Sequence, residues 1–250
     1  EGEGEGEGEG EGEGDGGCPA GQRPGGDGVC VDAAICSPGF TYSSITGKCS
    51  AWRFSDQAMF LAMPMSDAAD DGRLIYVMGD VPEFEPKLYA ARPTTDGTEI
   101  DYWTWFNPPS PDISGPALIS IFGTSIISVG GIDRNTGLVS NRVFAANATG
   151  AMPLGWIERA PLNHGRHLAS LAFMGGQLYV FGGDADNFVG ELSIEKATLD
   201  GSFRPNAWQE VGTMPSAHRF PTIVQRAGII YLVGGEEMEF SENIIWSSRV

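Results

Sequence analysis

Two basic pairs stand out for their spacing. Arg166 and His167 are followed 52 residues later by His218 and Arg219, so arginine and histidine occupy the same two places of a recurring unit in exchanged order. A guanidinium grips a carboxylate through two parallel hydrogen bonds. Acidic residues keep step with them: Asp133, Asp184 with Asp186, and Glu236 each lie shortly after a Gly-Gly pair, and Asp80, Glu83 and Glu85 follow Gly79. Carboxylates so grouped would select a cationic side chain or Ca²⁺. Each residue alone also has a plainer role, since Asp and Asn bend and cap turns and Arg-His pairs can hydrogen-bond loop carbonyls. No G-x-S-x-G elbow, H-E-x-x-H pair or Walker loop is present, so no local motif names a reaction. No catalytic residue, metal site or cofactor is expected.

The elements that must position these side chains repeat. The stretches Arg73–Asp80 (RLIYVMGD), Ser125–Gly131 (SIISVGG), Gln177–Gly183 (QLYVFGG) and Ile229–Gly235 (IIYLVGG) share a β-rich run closed by glycine. Counted on Gly79, Gly130, Gly182 and Gly234, the steps are 51, 52 and 52 residues. A period of that length in a β-rich chain means an array of similar units. In the third unit, Leu168–Met174 predicts a first strand and Gly175-Gly176 a two-residue hairpin turn. The glycine-paired stretch is then the second strand, Glu191–Thr198 the third, and Asn206–Val211 the fourth. Trp208 lies on that fourth strand, and its place is matched by spacing at Trp156 and Trp105. The unit reads as a four-stranded antiparallel meander, with units over about 57–107, 114–160, 167–212 and 219–250. The first is the least regular, with Gly79-Asp80 in place of the glycine pair and Asp67, Asp70 and Asp71 read as an insert ahead of it.

A hydrophobic run ending in Gly-Gly, with an aromatic on a later strand, resembles the kelch repeat family. Ala197–Gly201 ending in Asp-Gly, followed by Trp208, is similar to its bacterial version. The resemblance covers about residues 51–250 and implies an all-β fold, a kelch-type β-propeller with each repeat one four-stranded blade. In such a meander the loops from second to third strand and the loops between blades emerge on one rim. That rim would gather Arg166, His167, His218, Arg219, Asp184, Asp186, Asp133 and Glu236 at the mouth of a central channel. The implied function is non-catalytic binding of a protein or carbohydrate ligand. The alternative is a carbohydrate-active enzyme, epimerase- or lyase-like, using Arg166, His167, His218 and Arg219. Similarity to the galactose oxidase propeller would imply a copper site with a cysteine-linked tyrosine, but the repeats hold no cysteine; the repeated S-x-D-x-G-x-x-W box of sialidases is also absent. Family rings more often have six or seven blades, so four imply a chain cut from a larger ring. Ala51–Phe54, with Trp52, resembles a fourth strand detached from its blade.

Ahead of the repeats lie two further segments. Residues 1–17 form a Glu-Gly linker whose like charges predict an extended disordered spacer. Residues 18–50 carry all four cysteines, arranged as two copies of C-x-x-G followed by G-x-C. The duplication favours disulfides between Cys18 and Cys30 and between Cys36 and Cys49, and zinc ligation is opposed by the spacing. Disulfides place the protein in an oxidising compartment, extracellular or at the cell surface. The chain, which does not begin with methionine, reads as a segment of a longer precursor, with any signal peptide or lipid anchor upstream. Formal charge is −18, and about −10 remains once the acidic leader is set aside. A nucleic-acid partner, which needs a basic face, is therefore not expected. No apolar run reaches the roughly 20 residues of a membrane helix.

Overall fold

The computed structural model describes residues 22–24, 30–32, 41–43, 48–50, 67–79, 86–95, 100–148, 154–186, 189–235 and 245–249, with backbone alone for the strands before residue 51, for Leu154 and for 245–249. The chain divides into two compact units, Glu1–Ser55 and Asp56–Val250. In the first, β1 (Gln22–Pro24) pairs with β2 (Cys30–Asp32), and β3 (Thr41–Ser43) with β4 (Lys48–Ser50). Each copy of the duplicated cysteine element thus holds one antiparallel hairpin. Cys18 and Cys36 lie outside the described residues, and so does their pairing with Cys30 and Cys49. The Glu-Gly leader and Trp52 lie outside them too.

The second unit is all-β among the described residues. Its strands are β5 (Asp67–Asp70), β6 (Ile75–Met78), β7 (Leu88–Pro93), β8 (Ile100–Phe106), β9 (Ile113–Ser114), β10 (Ala117–Ile121), β11 (Ser125–Val129), β12 (Ile132–Asp133), β13 (Val143–Asn147) and β14 (Leu154–Arg159). They continue with β15 (Ser170–Met174), β16 (Gln177–Phe181), β17 (Ser193–Leu199), β18 (Pro205–Thr213), β19 (Thr222–Arg226), β20 (Ile229–Val233) and β21 (Ile245–Arg249). Pairing follows chain order in four antiparallel sheets: β5-β6-β7-β8, β10-β11-β13-β14, β15-β16-β17-β18 and β19-β20-β21. A two-stranded ladder of β9 with β12 stands at the start of the second sheet. These are the four predicted units, here called blades 1 to 4.

Why the second strands are apolar on both faces is visible in blade 3. Successive side chains of a strand point to opposite faces. Leu178 and Val180 pack toward blade 2 with Ile127, Val129 and Val143, whereas Tyr179 and Phe181 pack toward blade 4 with Ile230 and Leu232. A third cluster joins blades 1 and 2 through Tyr76, Met78, Leu88, Leu118 and Ile126. The core is therefore a series of inter-blade seams. Burying a side chain of this size contributes about 1.5–3 kcal/mol, and a lone blade would leave both faces wet.

The hairpin predicted at Gly175-Gly176 forms with Met174 opposite Gln177 and with φ of 59° and 77° at the two glycines. Such left-handed pairs match the twist of the flanking strands. Blade 1 corrects two expectations. Asp67 and Asp70 belong to its first strand, β5, rather than to an insert. The Asp67 carboxylate accepts the Leu118 N–H of blade 2 at 2.8 Å, while Asp71 caps the following turn by accepting the N–H groups of Arg73 and Leu74. Register then replaces Trp105 by Trp103. Ala91 faces Trp103 as Ala197 faces Trp208, because Trp103 follows Gly79 by 24 residues where Trp156 and Trp208 follow their glycines by 26. Trp105 is 55% exposed, with the Lys87 ammonium over its ring. Trp156 and Trp208 each donate their indole N–H to a carbonyl of the preceding blade-linking segment, Asn107 and Ala160, at 3.2 Å.

Candidate functional site

Each glycine pair is the point where two linking turns meet. A Cβ on Gly182 would stand 2.4 Å from the His218 carbonyl oxygen of the next blade's turn, and one on Gly183 would stand 2.4 Å from the His167 carbonyl oxygen of its own. Gly130 and Gly131 repeat this against Arg166 and Ser114. The N–H groups of Gly131 and Gly183 donate to the carbonyls of Arg166 and His218, both at 2.9 Å. Two glycines are needed because both φ values are positive, 62° and 89° in blade 3, and because backbone packs on backbone. This interlock brings the second-to-third loops and the linking turns together.

At the junction of blades 2 and 3, Arg166 turns inward. It is 0% exposed and its guanidinium is divided among the chain's own acceptors. Nη1 donates to the carbonyls of Gly182 and Ser193, and Nη2 to Ser193 Oγ and, at 2.8 Å, to Glu195 Oε1. Burial lowers the guanidinium pKa and the Glu195 carboxylate opposes that shift. Glu195, also fully buried, accepts the backbone N–H groups of Asn163 and His164 and the Asn163 side-chain amide. The arginine expected to grip a ligand carboxylate thus grips one of its own chain and ties the linking turn to β17. His164 lies at this junction beside Glu191 and Glu210, at 3.7 and 3.3 Å.

At the junction of blades 3 and 4, four predicted residues meet. His167 and Asp184 exchange backbone hydrogen bonds, at 2.9 and 2.7 Å. Arg219 Nε donates to Asp184 Oδ1 at 2.7 Å. His218 is 2% exposed, with Nε2 against Ser216 Oγ at 2.8 Å. Burial, with the neighbouring Arg219 charge, pushes the His167 imidazole down to about 4, so it is neutral at physiological pH. Two buried polar atoms here, Asp184 Oδ2 and His218 Nδ1, have no hydrogen-bond partner among the described residues.

The remaining acidic candidates separate. Asp133 closes its own turn, accepting the N–H groups of Asn135 and Thr136. Asp186 Oδ1 accepts the Val139 N–H at 2.8 Å and so ties the blade 3 loop to the blade 2 loop. Glu236, like Asp80, Glu83 and Glu85, lies outside the described residues. Sequence reasoning missed Glu195. Its signal was the adjacent charges Glu195-Lys196 in a strand, since alternation must turn one of them to the buried face.

Below the linking turns the first strands β5, β10, β15 and β19 line a central cavity of about 600 Å³, with Leu168 and Phe220 at its wall. Asp67 and Asp70 are the ionisable side chains on that wall. Burial raises the Asp67 carboxyl above its ordinary value, although the Leu118 and Ala68 N–H groups counter it. Four consecutive antiparallel blades set around one cavity define a β-propeller-type protein. Among solved structures the chain is similar to YjhT, a kelch-type β-propeller protein, at 16% identity and a TM-score of 0.52, over 71% of this chain and 59% of that one. At this identity the likeness shows the fold alone. No family model and no curated protein matches the chain.

Proposed function

We propose that the chain is a kelch-type binding module of a secreted or surface-anchored protein, recognising a protein or carbohydrate ligand through the loops on one rim of the propeller. The observation that supports this reading is a cavity of about 600 Å³ whose wall includes Asp67, Asp70, Leu168 and Phe220, the last two next in sequence to His167 and Arg219, which meet Asp184 at the junction of blades 3 and 4. Cavities of roughly 300–1,000 Å³ with a few convergent polar groups are the usual form of a ligand site. The duplicated cysteine segment supports export, because its proposed disulfides persist in oxidising compartments.

A carbohydrate-active enzyme with an Arg/His site at the channel mouth is the second reading, although burial lowers His167 to about 4 and so makes it a weak base. Binding of the whole chain to glycan and peptide arrays, run beside a turnover assay on the bound compounds, separates the two. Saturable binding without turnover is the expected result. Turnover abolished by His167→Gln would replace the binding reading with the enzymatic one, and absence of any saturable ligand would remove both.

A further inference from the structure

We infer that the outer edge of blade 1 docks a second copy of this chain, with β8 pairing antiparallel to its counterpart about a two-fold axis at Trp103. The inference is independent of what the rim binds. β8 is the outermost strand of its sheet, and its strand neighbour among the described residues is β7. Such an edge presents a row of backbone N–H and C=O groups that a further strand can take up.

The side chains along this edge set it apart from the other outer strands. Two residues after the indole position, β14 carries Glu158, bound by Arg142 at 2.7 Å, and β18 carries Glu210, beside His164 at 3.3 Å. Charges on an outer strand keep other strands away. In blade 1 the same place holds Trp105, 55% exposed, and Tyr102 on the same strand is 43% exposed. β8 carries four aromatic side chains and a single formal charge, that of Asp101, so this edge lacks the protection of the others.

The one charge identifies the partner. Turning β8 about Trp103 sets Asp101 opposite Trp105 of the second copy and Tyr102 opposite its Thr104. Asp101 and Trp105 are four residues apart along the strand and so share one sheet face. The Lys87 ammonium lies 4.0 Å from the Trp105 ring centroid. Side chains directly opposite in an antiparallel pair have Cβ atoms about 4.5–5.5 Å apart, so Asp101 of each copy comes beside Lys87 of the other. The two-fold axis makes that contact twice. Moving the register by two residues sets Asp101 opposite Trp103 or Asn107 and loses both contacts, so the charges also select which residues pair. Within one copy the Arg92 guanidinium takes the Tyr102 hydroxyl as its chief partner and feels Asp101 least, which leaves the carboxylate open to a further cation.

The test is self-association of the whole chain, followed by sedimentation at about 0.15 M salt, where the net charge of −18 is screened beyond about 8 Å. A concentration-dependent equilibrium of monomer and dimer is expected, with amide exchange slowed along β8 in the dimer and unchanged along β14 and β18. Asp101→Lys is expected to weaken the dimer by roughly tenfold, because it sets like charges together twice. Adding Lys87→Asp exchanges the signs of the pair and is expected to recover most of the association, which a misfolded chain would not do. A chain that stays monomeric at every concentration overturns the inference. A dimer protected on another strand, or one indifferent to Asp101→Lys, overturns it too. Weakening without rescue, in a double variant that melts as the original chain does, removes the ion pair and the register with it.

Discussion

The junctions of blades 2–3 and 3–4 are built to one plan and finished differently. In both, a glycine of the earlier blade lies under a carbonyl of the later blade's linking turn, Gly130 under Arg166 and Gly182 under His218. Those two residues are equivalent, 52 positions apart. Arg166 makes four hydrogen bonds to two carbonyls, a hydroxyl and a carboxylate, and the junction closes around it. Among the described residues, His218 has one ring nitrogen engaged and one without a partner, and Asp184 keeps an oxygen without one. The first junction uses the Arg166–Glu195 pair to hold the turn to β17, while Arg166 Nε is buried without a partner among the described residues. At the second junction the equivalent residue, His218, meets the Ser216 hydroxyl instead, so one repeat position holds a buried ion pair in one blade and a hydroxyl contact in the next.

The sharpest way to test the contrast is to remove the acid at each junction. Glu195→Ala leaves the Arg166 charge buried and unpaired and should lose about 3–5 kcal/mol of unfolding free energy in a urea titration. Replacing both partners, Arg166→Met with Glu195→Leu, should recover most of that loss, because apolar side chains of similar volume need no counter-charge. Asp184→Ala should cost less, about 1.5–3 kcal/mol, since Arg219 remains partly exposed. Equal losses at the two acids would break the distinction.

The shared part of the plan is open to a second test. Gly130→Ala and Gly183→Ala should each lose roughly 1–3 kcal/mol, because both need left-handed backbone and place a methyl against a carbonyl oxygen. Similar melting shifts at the two sites would sharpen the claim of one interlock. A third test is pH dependence. The His167 pKa is about 4 in the fold and near 6.5 in the unfolded chain, so between these values the unfolded state binds more protons. Stability should fall as pH drops from about 6.5 to 4 and change no further through this group below that. The slope is at most about 1.4 kcal/mol per pH unit, and His167→Gln should flatten it in denaturation midpoints taken at pH 7 and 5. The smallest effect belongs to Trp208→Phe, which removes the indole hydrogen bond to Ala160 and should lose about 0.5–1.5 kcal/mol.

Much of the architecture was legible along the chain because its signals are local. The double glycines, the Gly175-Gly176 turn and the apolar run of β16 each depend on a few neighbouring residues. Blade 1 was harder because constant spacing was the ruler: two fewer residues between Gly79 and the fourth strand moved the tryptophan place from Trp105 to Trp103. The acidic run around Asp67 reads as an insert along the chain; aspartate disfavours strands, yet Asp67 is held in β5 by the Leu118 N–H of the neighbouring blade.

The sequence by itself determined the number of visible blades, their order and which turns carry Arg166, His167, His218 and Arg219, since a repeated pattern of side-chain types is written into adjacent residues. Only the tertiary structure decided which of those side chains are consumed. Arg166 and Glu195 are 29 positions apart, and Arg219 and Asp184 are 35. Whether a charge meets its counter-charge or an empty space depends on how two distant turns pack across a seam, and no local spacing encodes that distance.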